Sequence, residues 1–176
     1  MLGNAIRRFE TYAGDRYMMD SQLLWGHLTA AAPTAAVNAV DSARTNVDFF
    51  ICLLYGGVAT AVTGGVAGTI TGLTAKTGFA IGTGIGISVI SYMLAVVAAD
   101  EWDTAFRAVV DHGRSGAAAA FRMSIPENFD EERLMWRTLN TLVRRPYAYS
   151  ESKDVPKLIE KFRTPLNRAA ALSDLA

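Results

Sequence analysis

Residues 49–99 read FFICLLYGGVATAVTGGVAGTITGLTAKTGFAIGTGIGISVISYMLAVVAA, with a single charge, Lys76, and ten of the chain's fifteen glycines. A helix rises about 1.5 Å per residue and a bilayer's hydrocarbon slab is about 30 Å thick, so one crossing takes roughly 20 residues. Phe49–Ala75 offers twenty-seven residues and Thr77–Ala99 twenty-three, with Lys76 between them. A lysine at mid-bilayer costs about 2.5–3.5 kcal/mol, which places Lys76 in a connection at the far surface. The stretch predicts two crossings rather than one. Thr69–Thr71 and Ile81–Ser88 alternate β-branched residues with glycine, as a strand does. Uninterrupted apolar strands of this length aggregate, so the helical reading is preferred. The expected fold is an all-α membrane protein: a transmembrane helical hairpin, amphipathic N-terminal helices and a small helical C-terminal arm.

Glycine recurs within the hairpin at every fourth position. Gly64, Gly68 and Gly72 follow Gly56 in the first helix, and Gly78, Gly82 and Gly86 lie in the second. Residues four apart share roughly one helix face, so each helix carries a groove bare of side chains. In lipid, helices associate through close van der Waals approach, which small residues permit. These seven glycines are therefore the expected packing surface, either between the two helices or against a neighbouring protein's helix. The same pattern, opening with Tyr55-Gly56-Gly57, resembles the last two helices of the mitochondrial inner-membrane Tim family. That family includes protein-translocase subunits and a small accessory subunit of respiratory complex I. The resemblance covers about 50 of the 176 residues. It implies a packing role for Gly64, Gly68, Gly72, Gly82 and Gly86. The family has four crossings, and residues 21–40 stand where a further one would be.

The remainder divides into N-terminal helices over 1–47 and a helical arm over 100–176. Leu2, Ala5, Ile6, Phe9 and Tyr12 fall at helical spacing and predict an amphipathic helix ending near Gly14. No apolar core follows Arg7 and Arg8, so the start reads as part of the mature protein rather than a secretory signal. Residues 21–40 carry no full charge and are rich in alanine, which makes them a marginal third crossing. The alternative is a helix pair broken at Pro33. Asp100, Glu101 and Asp103 mark the membrane exit, with Trp102 as an interfacial anchor. Gly113 and Gly116 are expected to loosen the helix that follows. Asp130 is the expected N-cap of a helix with a Met135, Leu139, Leu142 stripe, ended by Arg144-Arg145-Pro146. Pro156 suits the first turn of a short helix, and Thr164-Pro165 repeats that signal for a last one over Leu166–Leu172.

Signatures of catalysis are missing. Gly68–Thr77 ends in Lys76-Thr77, but Ala75 stands where a phosphate loop has glycine. Gly82-x-Gly84-x-Gly86 lacks dinucleotide spacing. His27 and His112 stand alone, and Cys52 has no partner for a disulfide. No catalytic residue, cofactor or metal site is expected. Zero net charge gives no reason to propose nucleic acid. Arg144 and Arg145 are candidates for contact with lipid headgroups or an acidic partner.

The expected role is a non-catalytic accessory subunit of a large membrane complex, in a respiratory-chain or other energy-transducing assembly. Its partners are other membrane subunits and phospholipids. Arg44, Arg107 and Arg114 flank the hairpin and place both termini in the mitochondrial matrix, or in the cytoplasm if the membrane is a bacterial inner membrane. The alternatives are a pore-forming secreted effector or holin-like protein with an oligomerising hairpin, and a translocase component.

Overall fold

The computed structural model describes residues 11–144 and 154–163, and everything described is helix or short connection. Helix α1 covers 11–17, α2 Ser21–Ala31, α3 Thr34–Thr71, α4 Ala75–Ala120, α5 Phe129–Arg144 and α6 Asp154–Phe162. One isolated antiparallel bridge, Met123 to Arg163, is the nearest thing to a strand among them. The strand-like stretches 69–71 and 81–88 are helical. The terminal helix expected over Leu166–Leu172, most of the helix expected over residues 2–12, and Arg145 lie outside the described residues.

Two compact units result, and they cut the chain differently from the expected 1–47, 48–99 and 100–176. One unit holds 34–108; the other gathers 11–33 with the described residues from 109 onward. Residues 21–40 do not form one continuous helix. Ser21–Ala31 has 11 residues, about 16 Å of helix, which is half a hydrocarbon slab. It buries Ser21, Leu24 and Leu28 in the second unit. Pro33 does break the helix pair, and Thr34 opens α3.

The first unit is an antiparallel pair built from α3 and the α4 segment up to Ala108. Residues 72–74 reverse the chain, and Gly72 sits at φ +84, a region that side-chain-bearing residues rarely enter. Thr74 then caps α4 reciprocally. Its hydroxyl accepts from the Thr77 N–H at 3.3 Å, and its own N–H donates to the Thr77 hydroxyl at 2.9 Å. The arrangement is a capping box with threonine in the place of glutamate. At the opposite end of the pair, Val47, Ala98 and Ala99 form a small core flanked by Phe50, Ile51 and Trp102.

In the second unit a core of Leu24, Leu28, Val109, Val110, Met135, Trp136 and Leu139 is fully enclosed. Helix α5 packs against both α2 and α6. Its N-cap is Asn128 rather than Asp130: the Asn128 side chain accepts from the Asp130 N–H at 2.9 Å. Asp130, Glu131 and Glu132 then occupy the first turn, where the helix dipole favours them. Gly113 and Gly116 do not loosen α4, which runs through both to Ala120. They are where α2 approaches: a Cβ at Gly113 would overlap the Leu28 carbonyl, and one at Gly116 would lie 2.6 Å from the Ala31 Cβ. Gly113→Ala is therefore expected to destabilise this unit by about 2 kcal/mol through backbone overlap. The change is measurable as a lower melting midpoint in near-ultraviolet dichroism.

Candidate functional site

The α3–α4 pair meets along a seam with alternating steps of three and four residues. In α3 the buried and half-buried positions that follow this seam are Val40, Ala43, Val47, Phe50, Leu54, Gly57, Ala61 and Gly64. In α4 they are Thr77, Ile81, Gly84, Ser88, Ser91, Ala95, Ala98 and Trp102. A mean step of 3.5 residues is the coiled-coil repeat, here between two antiparallel helices. Small residues occupy the half nearest the reversal. A Cβ at Gly57 would lie 2.5 Å from the Ser88 Oγ and 2.7 Å from the Gly84 carbonyl oxygen. A Cβ at Gly84 would lie 2.5 Å from the Ala61 nitrogen and 2.6 Å from the Gly57 carbonyl oxygen. The helices thus touch backbone to backbone. The Ser88 hydroxyl, 2.9 Å from the Gly84 carbonyl of its own helix and 3.2 Å from the Leu54 carbonyl of the other, ties the two together.

The expected packing glycines fall into two groups. Gly64 lies in the seam, with a Cβ position 3.1 Å from the Ala80 Cβ. Gly68 borders it at ordinary contact distances of 3.5–3.8 Å from Leu73 and Thr77, and Gly72 belongs to the reversal. Gly56, Gly78, Gly82 and Gly86 have nothing within 4 Å of a Cβ and face open space. Gly57 and Gly84 carry the tightest contacts in their stead. The signal for them was available: only a 3-4 alternation keeps residues on one seam.

Away from the seam, the pair is covered in large apolar side chains. Ile70 is 78% exposed, Leu73 83%, Phe79 75%, and Phe49, Val62, Ile90 and Met93 all exceed half. The most apolar windows of the two helices are only 11% and 17% buried. A soluble protein's core helix is mostly enclosed; this pair makes its closest contacts through small residues and turns many bulky apolar ones outward. Polar atoms on the outer face are satisfied locally. The hydroxyls of Thr60, Thr63, Thr69 and Thr71 donate to carbonyls three or four residues back, at 2.7–2.9 Å. Such internal satisfaction is what a medium without water demands. Two long apolar helices capable of crossing a membrane are thus present.

Polar chemistry concentrates in the second unit. Glu132, 4% exposed, accepts from Arg114 at 2.5 Å and from the Trp136 indole at 3.2 Å. The Arg114 guanidinium lies over the Tyr17 ring, 4.8 Å from its centroid, and the Tyr17 hydroxyl donates to Asp111 at 2.7 Å. Tyr12 also donates to Asp111, at 3.0 Å. Burial, then the hydrogen bond and negative charge of Asp111, push the Tyr17 phenol up to about 12. Burial opposes the Arg114 charge, but the bond and charge of Glu132 outweigh it and raise its pKa further. The cluster joins three helical segments, α1, α4 and α5, through these bonds.

Arg144, a candidate for lipid contact, is paired with Asp20. Nearby, the Asn140 amide donates to the Met18 carbonyl at 2.8 Å while its oxygen accepts from the Asp20 N–H at 3.1 Å. Met18 itself is the left-handed residue, φ 56, that closes α1: its N–H donates to the Gly14 carbonyl at 2.9 Å and the Met19 N–H to the Ala13 carbonyl at 3.1 Å. Burial raises the Asp20 pKa, but bonds from Arg144 and from the Leu23 and Gln22 N–H groups outweigh it and hold the carboxyl below the usual range. A carboxyl depressed in the folded state stabilises above its unfolded value of about 3.8 and loses that contribution as pH falls through its folded value. Asp20→Asn is therefore expected to flatten the acid limb of stability below about pH 4, checked by melting midpoints across that range. Of the flanking arginines, Arg107 donates through Nε and Nη2 to the two Asp103 carboxylate oxygens at 2.7 Å, and Arg44 lies 3.9 Å from Asp48.

No family model matches the chain, and no curated protein or solved structure matches it.

Proposed function

We propose that this chain is a non-catalytic accessory subunit of a large membrane assembly, in an energy-transducing complex such as a respiratory chain. The α3–α4 pair is its transmembrane hairpin, and the second unit is its water-facing domain. The observation that carries the reading is the inside-out pair, with its closest contacts through small residues and many bulky apolar ones turned outward. At about 25 cal/mol per Å2, leaving side chains such as Ile70, Leu73 and Phe79 in water is costly, and lipid or apolar partner helices remove that cost.

Topology supports the same conclusion. Residues 11–31, 109–144 and 154–163 share one core. Whatever lies between them must return to the side it left, so the intervening chain crosses a bilayer an even number of times. Two crossings satisfy this; three do not. Both ends of the described chain then lie on one side, for which we favour the mitochondrial matrix. On this reading the likeness to the Tim family is one of hairpin packing, and the charged surface of the second unit clasps neighbouring subunits.

The test is to extract native membranes with alkaline carbonate and then solubilise them gently. The chain is expected to stay with the membranes and to migrate on a native gel far above its own 18.9 kDa. A freely water-soluble monomer overturns the proposal. One observation favours a second reading, a self-assembling pore: Gly56, Gly78, Gly82 and Gly86 are left open on the outer face. Release of dye from liposomes by the purified chain alone identifies that case, and an accessory subunit leaves the vesicles sealed.

A further inference from the structure

A groove of about 480 Å3 runs along the flank of the hairpin near its reversal, lined by Ala59, Thr63, Gly64, Ala67 and Ala80, with Lys76 at its rim. We infer that it seats an anionic phospholipid, one acyl chain lying in the groove and the headgroup phosphate held by the Lys76 ammonium. The inference rests on the membrane reading above. The groove exists because the lining side chains are small while their neighbours Val62, Val66 and Phe79 stand out from the helices. Its polar atoms are already engaged. Thr60 and Thr63 donate to the Gly56 and Ala59 carbonyls, and the Thr77 hydroxyl donates to the Thr74 carbonyl at 2.9 Å. What remains to meet an occupant is an apolar floor with one cation at one end.

That polarity matches a lipid better than a helix. Lys76 is the single charge in residues 49–99 and makes no ion pair among the described residues. A partner helix answering it needs a carboxylate at one matching position of its own surface. A phospholipid carries its phosphate at the edge of the hydrocarbon already, with its chain directed into the apolar layer. The spacing suits it, since the lining residues climb two turns of α3 from Ala67 to Ala59, away from Lys76.

The test is native mass spectrometry of the full chain released from nanodiscs of phosphatidylcholine with phosphatidylglycerol. Flotation with pure phosphatidylcholine vesicles is measured first, and failure there overturns the membrane reading itself. Given flotation, phosphatidylglycerol is expected to be retained preferentially as a single adduct. Lys76→Gln should reduce that preference about fivefold. Ala67→Phe, which fills the groove and leaves the charge, should abolish the adduct of either lipid. Equal retention of the two lipids by the wild type, full phosphatidylglycerol retention by Lys76→Gln, or an undiminished adduct in Ala67→Phe each overturns the assignment.

Discussion

Gly84→Leu is expected to open the hairpin. The first carbon of any side chain at Gly84 falls 2.5 Å from the Ala61 nitrogen and 2.6 Å from the Gly57 carbonyl oxygen, and both are backbone atoms that no rotamer change moves. The helices must separate by more than an ångström over the glycine half of the seam. Overpacking of this kind costs about 3 kcal/mol or more, and here it also breaks the bond from Ser88 to the Leu54 carbonyl. The effect is read as a fall in the midpoint of a denaturing-detergent titration and as loss of the chain from its native complex. Gly82→Leu is the matched control. Its new side chain enters open space, so the midpoint should move by less than about 0.5 kcal/mol. If the two variants behave alike, backbone contact is not what holds the pair.

Arg114→Ala is the other large effect, and it falls on the second unit. Glu132 keeps only 5% of its side chain accessible, and Arg114 keeps 31%. Removing the guanidinium strands a buried carboxylate with the Trp136 indole as its remaining donor. Breaking a fully buried pair costs about 3–5 kcal/mol, and the partial exposure of Arg114 places this case near the lower figure. Loss of the Tyr17 stacking adds to it. Arg114→Lys keeps the charge but loses the planar fork, so an intermediate cost is expected. The Arg114→Ala, Glu132→Gln double variant should be less destabilised than the sum of the single ones, because the stranded charge is gone. Melting followed by near-ultraviolet dichroism measures these variants and the Glu132→Gln single one, and a change below about 1 kcal/mol for Arg114→Ala contradicts the assigned burial.

Composition alone made the two long apolar helices legible, since fifty-one residues with one charge admit little else. The seam was less legible, for a geometric reason. Strict fours advance 400° at 3.6 residues per turn, so Gly78, Gly82 and Gly86 walk about 40° round the helix at each step. The seam instead takes Thr77, Ile81, Gly84, Ser88 and Ser91, whose alternating steps cancel the drift. Counting small residues at alternating threes and fours finds Gly57 and Gly84; counting fours alone does not. In the second unit the individual helices were readable from the Asp130–Glu132 acids and the Met135–Leu139 stripe. The partnership of α2 with Gly113 and Gly116 was not, because nothing local joins residues some ninety positions apart. Helix-weakening glycine and helix-docking glycine look the same until the neighbour is known.

That long-range partnership also sets the order in which the molecule can mature. Tyr12, Met18 and Leu28 leave the ribosome well before the residues they meet, Asp111, Asn140 and Gly113, with sequence separations of 99 between Tyr12 and Asp111 and 122 between Met18 and Asn140. At about 5–20 residues per second, those residues wait on the order of ten seconds, through synthesis of both long helices, before their partners are made. A nascent chain in that interval displays sticky leucines ahead of a greasy hairpin, and is a natural client for a holding chaperone.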